Sequence, residues 1–201
     1  MSTRLKAPPS NLHDIALELV ELEVASLYRI SKHDSGEPYF GRSAGNRFDD
    51  HSLPASGRFG TSYMATSLCG ALAETVLHDL MPQAGHFIVP PDELESKYLV
   101  RFEGASLRLA KLTGTALKRI VGSSEISTAL PYDLPQSWAI ALHAHPAKVD
   151  GILYMSRQVN DDKAVVVFDR AKRKFNTAVY TPLPGAPGFD EVIQTLAIRG
   201  G

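Results

Sequence analysis

Apolar and polar positions along the chain alternate between two periods. Near the start, Ile15, Leu19 and Leu22 recur at four and three residues, one stripe of a helix. Asn11 precedes the stripe as a candidate cap and Asp14 follows three residues later, so a helix is expected from Asn11 to near Val24. Ser26 to Ile30 reads as a short strand, as does Thr61 to Ala65. Ser67 then caps a helix over Leu68 to Leu80, with Leu68, Leu72, Val76 and Leu80 as its apolar stripe. Strands follow at 86–89, 97–102 and 106–112. Helices follow at 115–121 and 134–145, the second packing Trp138. Strands at 151–156, 163–169 and 175–181 come next; the last two flank a charged turn and read as a hairpin. A helix over 190–198 closes the chain. Strands and helices interleave without a regular βαβ rhythm, which predicts a mixed α+β domain.

Residues 31–60 break both periods. Gly36, Pro38, Gly41, Gly45, Pro54, Gly57 and Gly60 are spread among polar residues, which predicts a long irregular loop of the kind that carries function. No repeat, low-complexity tract or composition shift divides the 201 residues, so a single domain is expected. No apolar stretch is long enough to span a bilayer, and residues 1–10 lack the apolar core of a secretion signal. A cytoplasmic protein with no membrane contact is the resulting expectation.

Charge and cysteine content narrow the chemistry. Lys and Arg number 21 against 22 Asp and Glu, a balance that argues against a dedicated nucleic-acid binder. The single cysteine, Cys69, excludes an intramolecular disulfide framework and reads as a structural thiol. There is no GxGxxG, Walker A, HExxH or GxSxG motif. His143 and His145 lie two apart on an expected helix and so point to different sides; no metal site is expected from them. Arg170, Lys172, Arg173 and Lys174 form one basic cluster, which suits an exposed turn.

Four features remain. Arg29 interrupts the strand Leu27-Tyr28-Arg29-Ile30, where a charge needs a cleft or a partner. Asn46-Arg47-Phe48-Asp49-Asp50 stands inside the glycine-rich loop. Thr61-Ser62-Tyr63-Met64-Ala65 leads into a helix on which Glu74 lies off the apolar stripe, with His78 one turn on. Asp150-Gly151-Ile152-Leu153-Tyr154-Met155-Ser156-Arg157 is an apolar strand ending in Ser-Arg. Each has a plain structural reading when taken singly: a salt-bridge arginine, a solvated glutamate, a strand-end serine.

Together and in this order the four resemble the RES-domain family of toxins from two-gene toxin–antitoxin systems. The family's Arg, Glu and Ser match Arg29, Glu74 and Ser156; its second Arg matches Arg47, and its strand Tyr matches Tyr63. The resemblance covers roughly residues 26–180. Family members often carry Trp after the second Arg, where this chain has Phe48. The resemblance implies an ADP-ribosyltransferase-like fold, a split β-sheet core with helices around a central cleft, preceded here by an N-terminal helical extension over 1–25. It also implies consumption of NAD+ as substrate with no metal, by degradation or by transfer of ADP-ribose to a protein. The partner it implies is an Xre-like antitoxin that blocks the cleft, within a complex in which the toxin can be a homodimer.

The residue types suit that chemistry. Breaking the nicotinamide–ribose bond passes through an oxocarbenium-like state, which a carboxylate stabilises, the role expected of Glu74. Arg29 and Arg47 suit a diphosphate, since guanidinium pairs with phosphate bidentately. Tyr63 offers a flat face and a hydroxyl to the nicotinamide, and Ser156 a hydrogen bond to the ribose or carboxamide. Two other readings are open. Arg29, Arg47 and Glu74 could form a structural ion network in a non-catalytic module. A ribonuclease-type toxin could draw its acid and base from His33, His51, His78, His86, His143 and His145.

Overall fold

The computed structural model describes residues 4–200. Ten strands and five α-helices are present in them: β1 Leu19–Leu22, β2 Tyr28–Ser31, β3 Thr61–Ala65, α1 Leu68–Thr75, β4 Phe87–Val89, α2 Pro91–Glu95, β5 Tyr98–Gly104, β6 Leu107–Leu112, α3 Gly114–Ile120, α4 Asp133–Ala144, β7 Gly151–Met155, β8 Lys163–Phe168, β9 Phe175–Pro182, α5 Phe189–Thr195 and β10 Ile198–Gly200. The α+β class read from the sequence is the observed one, with a largely antiparallel sheet in the order β1-β6-β7-β8-β3-β2-β5-β9 and a small parallel pair β10-β4.

The eight-stranded sheet is nearly two sheets. β3 pairs with β8 along five residues and β2 with β5 along four, but β2 and β3 meet only at Tyr28 and Ala65. Beyond that bridge the two strands diverge and leave backbone groups without ladder partners. This seam is the split that the sequence resemblance implies, and it opens the main cleft.

Strand alternation shares the sheet's two faces between cores. Val165 and Val167 of β8 and Leu107 and Leu109 of β6 join one cluster; Val166, Phe168, Ala110 and Leu112 turn to the opposite face and pack with Trp138, Ala139 and Leu142 of α4. Phe102 of β5 belongs to the same cluster as Leu109 of β6, although four strands separate them, so the sheet curls until its halves share apolar contacts. A third cluster joins Leu68 and Leu72 of α1 to Ile30, Leu99 and Ile198 of the strands, with Val192 and Ile193 of α5 packed against it.

Three local expectations are corrected. The N-terminal helical extension is not formed: Leu12–Asp14 is one 3-10 turn without a side-chain cap, and Leu19–Leu22 pairs antiparallel with β6. Val20, Leu22 and Val24 alternate with Glu21 and Glu23, and this period of two prevails because it buries Val24 beside the sheet. The segment after β8 is not a hairpin. Residues Asp169–Lys174 form a 3-10 turn that carries the chain past three strands to the far edge, where β9 pairs with β5. Its basic residues are not all solvent-facing: Lys174 Nζ meets Asp150 Oδ2 at 2.7 Å and Arg170 donates to the His143 carbonyl. Finally, α1 stops at Thr75, leaving Leu80 largely exposed.

The loop at 31–60 is irregular as expected, apart from a 3-10 turn at Ala55–Gly57 and a bridge between Gly41 and Thr61. No helix among the described residues is long and apolar enough to cross a membrane.

Candidate active site

The cleft at the seam encloses about 350 Å³, within the range of small-molecule sites. β2 and β3 form one wall, α1 another, and the 45–47 stretch of the long loop closes over them. Four of the five residues singled out from sequence, Arg29, Arg47, Tyr63 and Glu74, line it. Ser156 lies just behind.

Arg29 spans the seam. Its Nη1 donates to the Tyr63 carbonyl at 2.8 Å, a backbone acceptor that the broken β2–β3 pairing left unused. Its Nε donates to Glu37 Oε2 at 2.7 Å, and Glu37 is almost fully buried. Glu37 also accepts from the Tyr39 amide, while its own amide donates to the Tyr180 hydroxyl. The fork of Arg29 is therefore partly occupied, and its Nη2 edge is what remains for a ligand. No sequence signal marked Glu37.

Arg47 differs. It is 8% exposed, donates through Nη1 to the Ala129 carbonyl at 2.9 Å and stacks on Tyr132 at 4.8 Å. No carboxylate pairs with it among the described residues. Burial pulls its guanidinium below the ordinary value; Tyr132, Tyr154 and the Glu74 charge oppose this, and the like charge of Arg157 adds to it. A buried cation without a counter-ion is unfavourable unless an anion completes the site.

The loop that carries Arg47 is fixed by Asp49. This buried carboxylate accepts from Thr61 Oγ1 at 2.6 Å and the Tyr63 hydroxyl at 3.1 Å through one oxygen. Through the other it accepts from the Asn46 amide, Asn46 Nδ2 and Ser43 Oγ, each at 3.0 Å. The Tyr63 hydroxyl accepts in turn from the Phe48 amide at 2.9 Å. Burial, and then the charge of Asp49, push the Tyr63 phenol well above its usual range. Its hydroxyl is thus engaged by the loop, its one proton going to Asp49, while Tyr63 also lines the cleft. Phe48 is fully buried and meets the Tyr154 ring edge-on at 4.8 Å, so it serves the core.

Glu74 projects from the last turn of α1. Its Oε1 accepts from Ser156 Oγ at 2.5 Å and from the Arg157 amide at 3.1 Å. Its Oε2 has only His78 Nδ1 near it, at 3.8 Å, and is the oxygen left for chemistry. The Ser156 hydroxyl gives its proton to Glu74 and accepts from the Gln158 and Val159 amides at 3.1 and 3.0 Å. Its capacity is full. In this arrangement Ser156 orients the Glu74 carboxylate.

Sequence reasoning gave no role to Tyr154, Tyr132 or Arg157, all of which line the cleft; His78, named there only as a possible acid or base, lines it too. Tyr154 stands two residues before Ser156 in a strand whose continuous apolar run hid it. The two histidines of the HxH pair have separate surroundings, with His145 buried and His143 partly exposed. His143 stacks on Phe59 at 4.0 Å, whereas His145 caps α4 and bonds the Ile15 carbonyl at 3.2 Å. Burial raises the Cys69 thiol above its usual value, with Asp162 and Asp161 adding to the effect, as suits an unreactive thiol.

Known proteins resemble this chain in fold and sequence. A chain of the Mycobacterium tuberculosis MbcT–MbcA toxin–antitoxin complex superposes with a TM-score of 0.56 over 87% of this chain and 91% of its own, at 16% identity, a likeness of fold. A Sinorhizobium fredii protein (strain NBRC 101917 / NGR234) described as probable toxin y4kH is 36% identical over 90 residues, 45% of this chain and 68% of that protein. The family model described as RES domain matches residues 26–187, which hold every cleft residue described above. The seam, the arginines beside it and the serine-held glutamate are thus those of a chain that belongs to the RES-domain family.

Proposed function

We propose that the protein is the toxin of a toxin–antitoxin pair and that it cleaves the nicotinamide–ribose bond of NAD+. The observation that carries this reading is the pairing of Arg47, a buried cation without a carboxylate, with Glu74, a carboxylate held by one oxygen so that the other is free, in one cleft. An anionic ligand with a ribose next to its phosphates satisfies both ends. Arg47 and the free edge of Arg29 take the diphosphate, and Glu74 Oε2 faces the ribose. The C1′–N bond breaks with its electron pair passing to the ring nitrogen, so nicotinamide leaves neutral and needs no acid. Positive charge on the ribose is stabilised by Glu74. An acceptor oxygen of water, phosphate or a protein side chain then bonds C1′ and loses its proton to solvent.

The ion-network alternative has little support. Arg29 pairs with Glu37, the ion-pair partner of Glu74 is His78 at 3.8 Å, and no carboxylate among the described residues forms an ion pair with Arg47, on which the Glu74 charge acts only from farther off. The ribonuclease alternative calls for a cationic groove along an RNA backbone, and 21 Lys and Arg against 22 Asp and Glu count against one. One similar protein is described as a probable toxin and the other belongs to a toxin–antitoxin complex, which supports an antitoxin partner for this chain; that it is Xre-like and blocks the cleft rests on the family resemblance alone.

The test is nicotinamide release by the purified protein from NAD+. Wild type should release it, and Glu74→Ala should reduce the rate by at least about 10²-fold while still melting cooperatively, at a temperature lowered by the loss of the Ser156 bond. Equal rates for the two proteins would refute the reading. Labelled NAD+ in a lysate then separates acceptors: label on a protein band means transfer, and free ADP-ribose or its phosphate means degradation.

A further inference from the structure

One polar group in the cleft is used neither by the fold nor by the reaction as proposed. Tyr154, on β7, is 7% exposed and lines the cleft. Its ring is fixed edge-on against Phe48. Its hydroxyl bonds to no described residue, whereas the nearby phenol of Tyr63 has two partners. A buried hydroxyl is normally paired, and an unpaired one is a standing loss of stability that native proteins accept mainly where function uses it.

The hydroxyl is not sealed into the core. Among the described residues the fully enclosed side-chain atoms without a partner are Ser62 Oγ, His86 Nδ1 and Arg170 Nη1, and the Tyr154 oxygen is not one of them. The space it meets is the cleft. Its charged neighbours there are Glu74 first and Arg47 second. Burial, reinforced by Glu74, holds the phenol protonated far above neutral pH, so the group is a hydrogen-bond donor and neither a base nor a nucleophile.

We propose that the Tyr154 hydroxyl donates a hydrogen bond to a substrate oxygen on the stretch between ribose and diphosphate, between Glu74 and Arg47. This rests on the NAD+ reading above and adds a substrate contact to it. A planar, fixed phenol at that point sets how far the ribose stands from the Glu74 carboxylate once the phosphates are held. The nicotinamide ring is beyond its reach on this assignment, so the contact is felt equally by NAD+ and by ADP-ribose.

Tyr154→Phe tests the assignment, since it removes one oxygen and keeps the ring. Three measurements are compared with wild type: nicotinamide release from NAD+, ADP-ribose binding by calorimetry, and the melting temperature. The expected result is ADP-ribose affinity weakened about fivefold to tenfold, the KM for NAD+ raised by a similar factor, and a melting temperature equal or higher. If wild type turns NAD+ over and Tyr154→Phe binds ADP-ribose as tightly as wild type, the Tyr154 contact is overturned while the NAD+ reading stands. A melting temperature several degrees lower would give the hydroxyl a structural role and overturn it as well. A wild type that releases no nicotinamide overturns the NAD+ reading itself, and the contact with it.

Discussion

Ser156 Oγ donates to Glu74 Oε1 across 2.5 Å, joining the end of strand β7 to the last turn of helix α1. The Arg157 amide supports the same oxygen at 3.1 Å, so the carboxylate is oriented from one side by a strand end 82 residues away in sequence. Glu74 is well placed for catalysis only while this contact persists. Ser156→Ala should therefore lower kcat for nicotinamide release about tenfold to a hundredfold with KM changed less than threefold, since one oriented hydrogen bond to a charged group is worth about 1.5–3 kcal/mol. The double variant with Glu74→Gln should be no slower than Glu74→Gln alone. Additive losses in that cycle would mean that Ser156 acts on the substrate directly.

Asp49 holds the loop that presents Arg47. Five donors converge on its two oxygens, from Ser43, Asn46 (two), Thr61 and Tyr63. Asp49→Ala leaves buried donors without an acceptor, each a loss of about 1–3 kcal/mol before relaxation. The expected outcome is a stability loss of about 3 kcal/mol by urea unfolding, with binding of ADP-ribose weakened at least tenfold because Arg47 is no longer fixed. A variant as stable as wild type would remove Asp49 from this role.

The stack of His143 on Phe59 makes stability depend on pH. Burial, and next the charge of Arg170, lower the His143 pKa to about 4; Asp169 and Asp50 oppose this and Lys148 adds to it. An unfolded histidine titrates near 6.5. Between those values the unfolded chain binds a proton that the native ring does not, so stability rises with pH through this window and is lost as pH falls. The loss should be on the order of 2 kcal/mol, since the ring is half-buried and solvent screens part of the effect. Melting curves from pH 7 to 5 isolate it, because the carboxylates lowered by their surroundings, Asp50, Glu18 and Glu93, titrate below that range. His143→Phe should flatten the dependence; an unchanged slope would assign it elsewhere.

The parts of the site that were legible in the sequence are those with an anomalous local setting. Arg29 is a charge inside an apolar strand, Glu74 lies off a helix stripe, and Arg47 sits in a glycine-rich loop; each departs from its element's period. Tyr154 and Glu37 depart from nothing local. Tyr154 continues an apolar run, and Glu37 acquires its meaning only when residues 29 and 180 are brought to it by the fold. The same limit explains the misread hairpin: the sequence of β8, turn and β9 is hairpin-like, and only the rest of the sheet shows β3, β2 and β5 between the two strands. Short windows that satisfy two periods, such as Leu19 to Val24, are settled by pairing partners.

The residues before the matched family segment are structural, and deleting them tests this. Leu5 and Leu12 are buried with Trp138 in the α4 core, whose indole Nε1 donates to the Lys6 carbonyl at 2.8 Å. The Arg4 and Leu5 amides donate to Glu125 Oε2, and Lys111 Nζ meets Glu18 Oε1 at 2.5 Å. β1 covers the edge of β6, and Val24 is fully buried. Three fully buried aliphatic side chains contribute about 1.5–3 kcal/mol each, and the uncovered β6 edge adds an open row of amides and carbonyls. The sum equals or exceeds the stability of an ordinary domain, about 5–15 kcal/mol, at its lower end. A variant that starts at Ser26 should accordingly lack a cooperative melting transition or aggregate, although it retains every residue of the cleft. A soluble Ser26 variant that melts within a few degrees of wild type would show that the cleft domain is complete without its first strand.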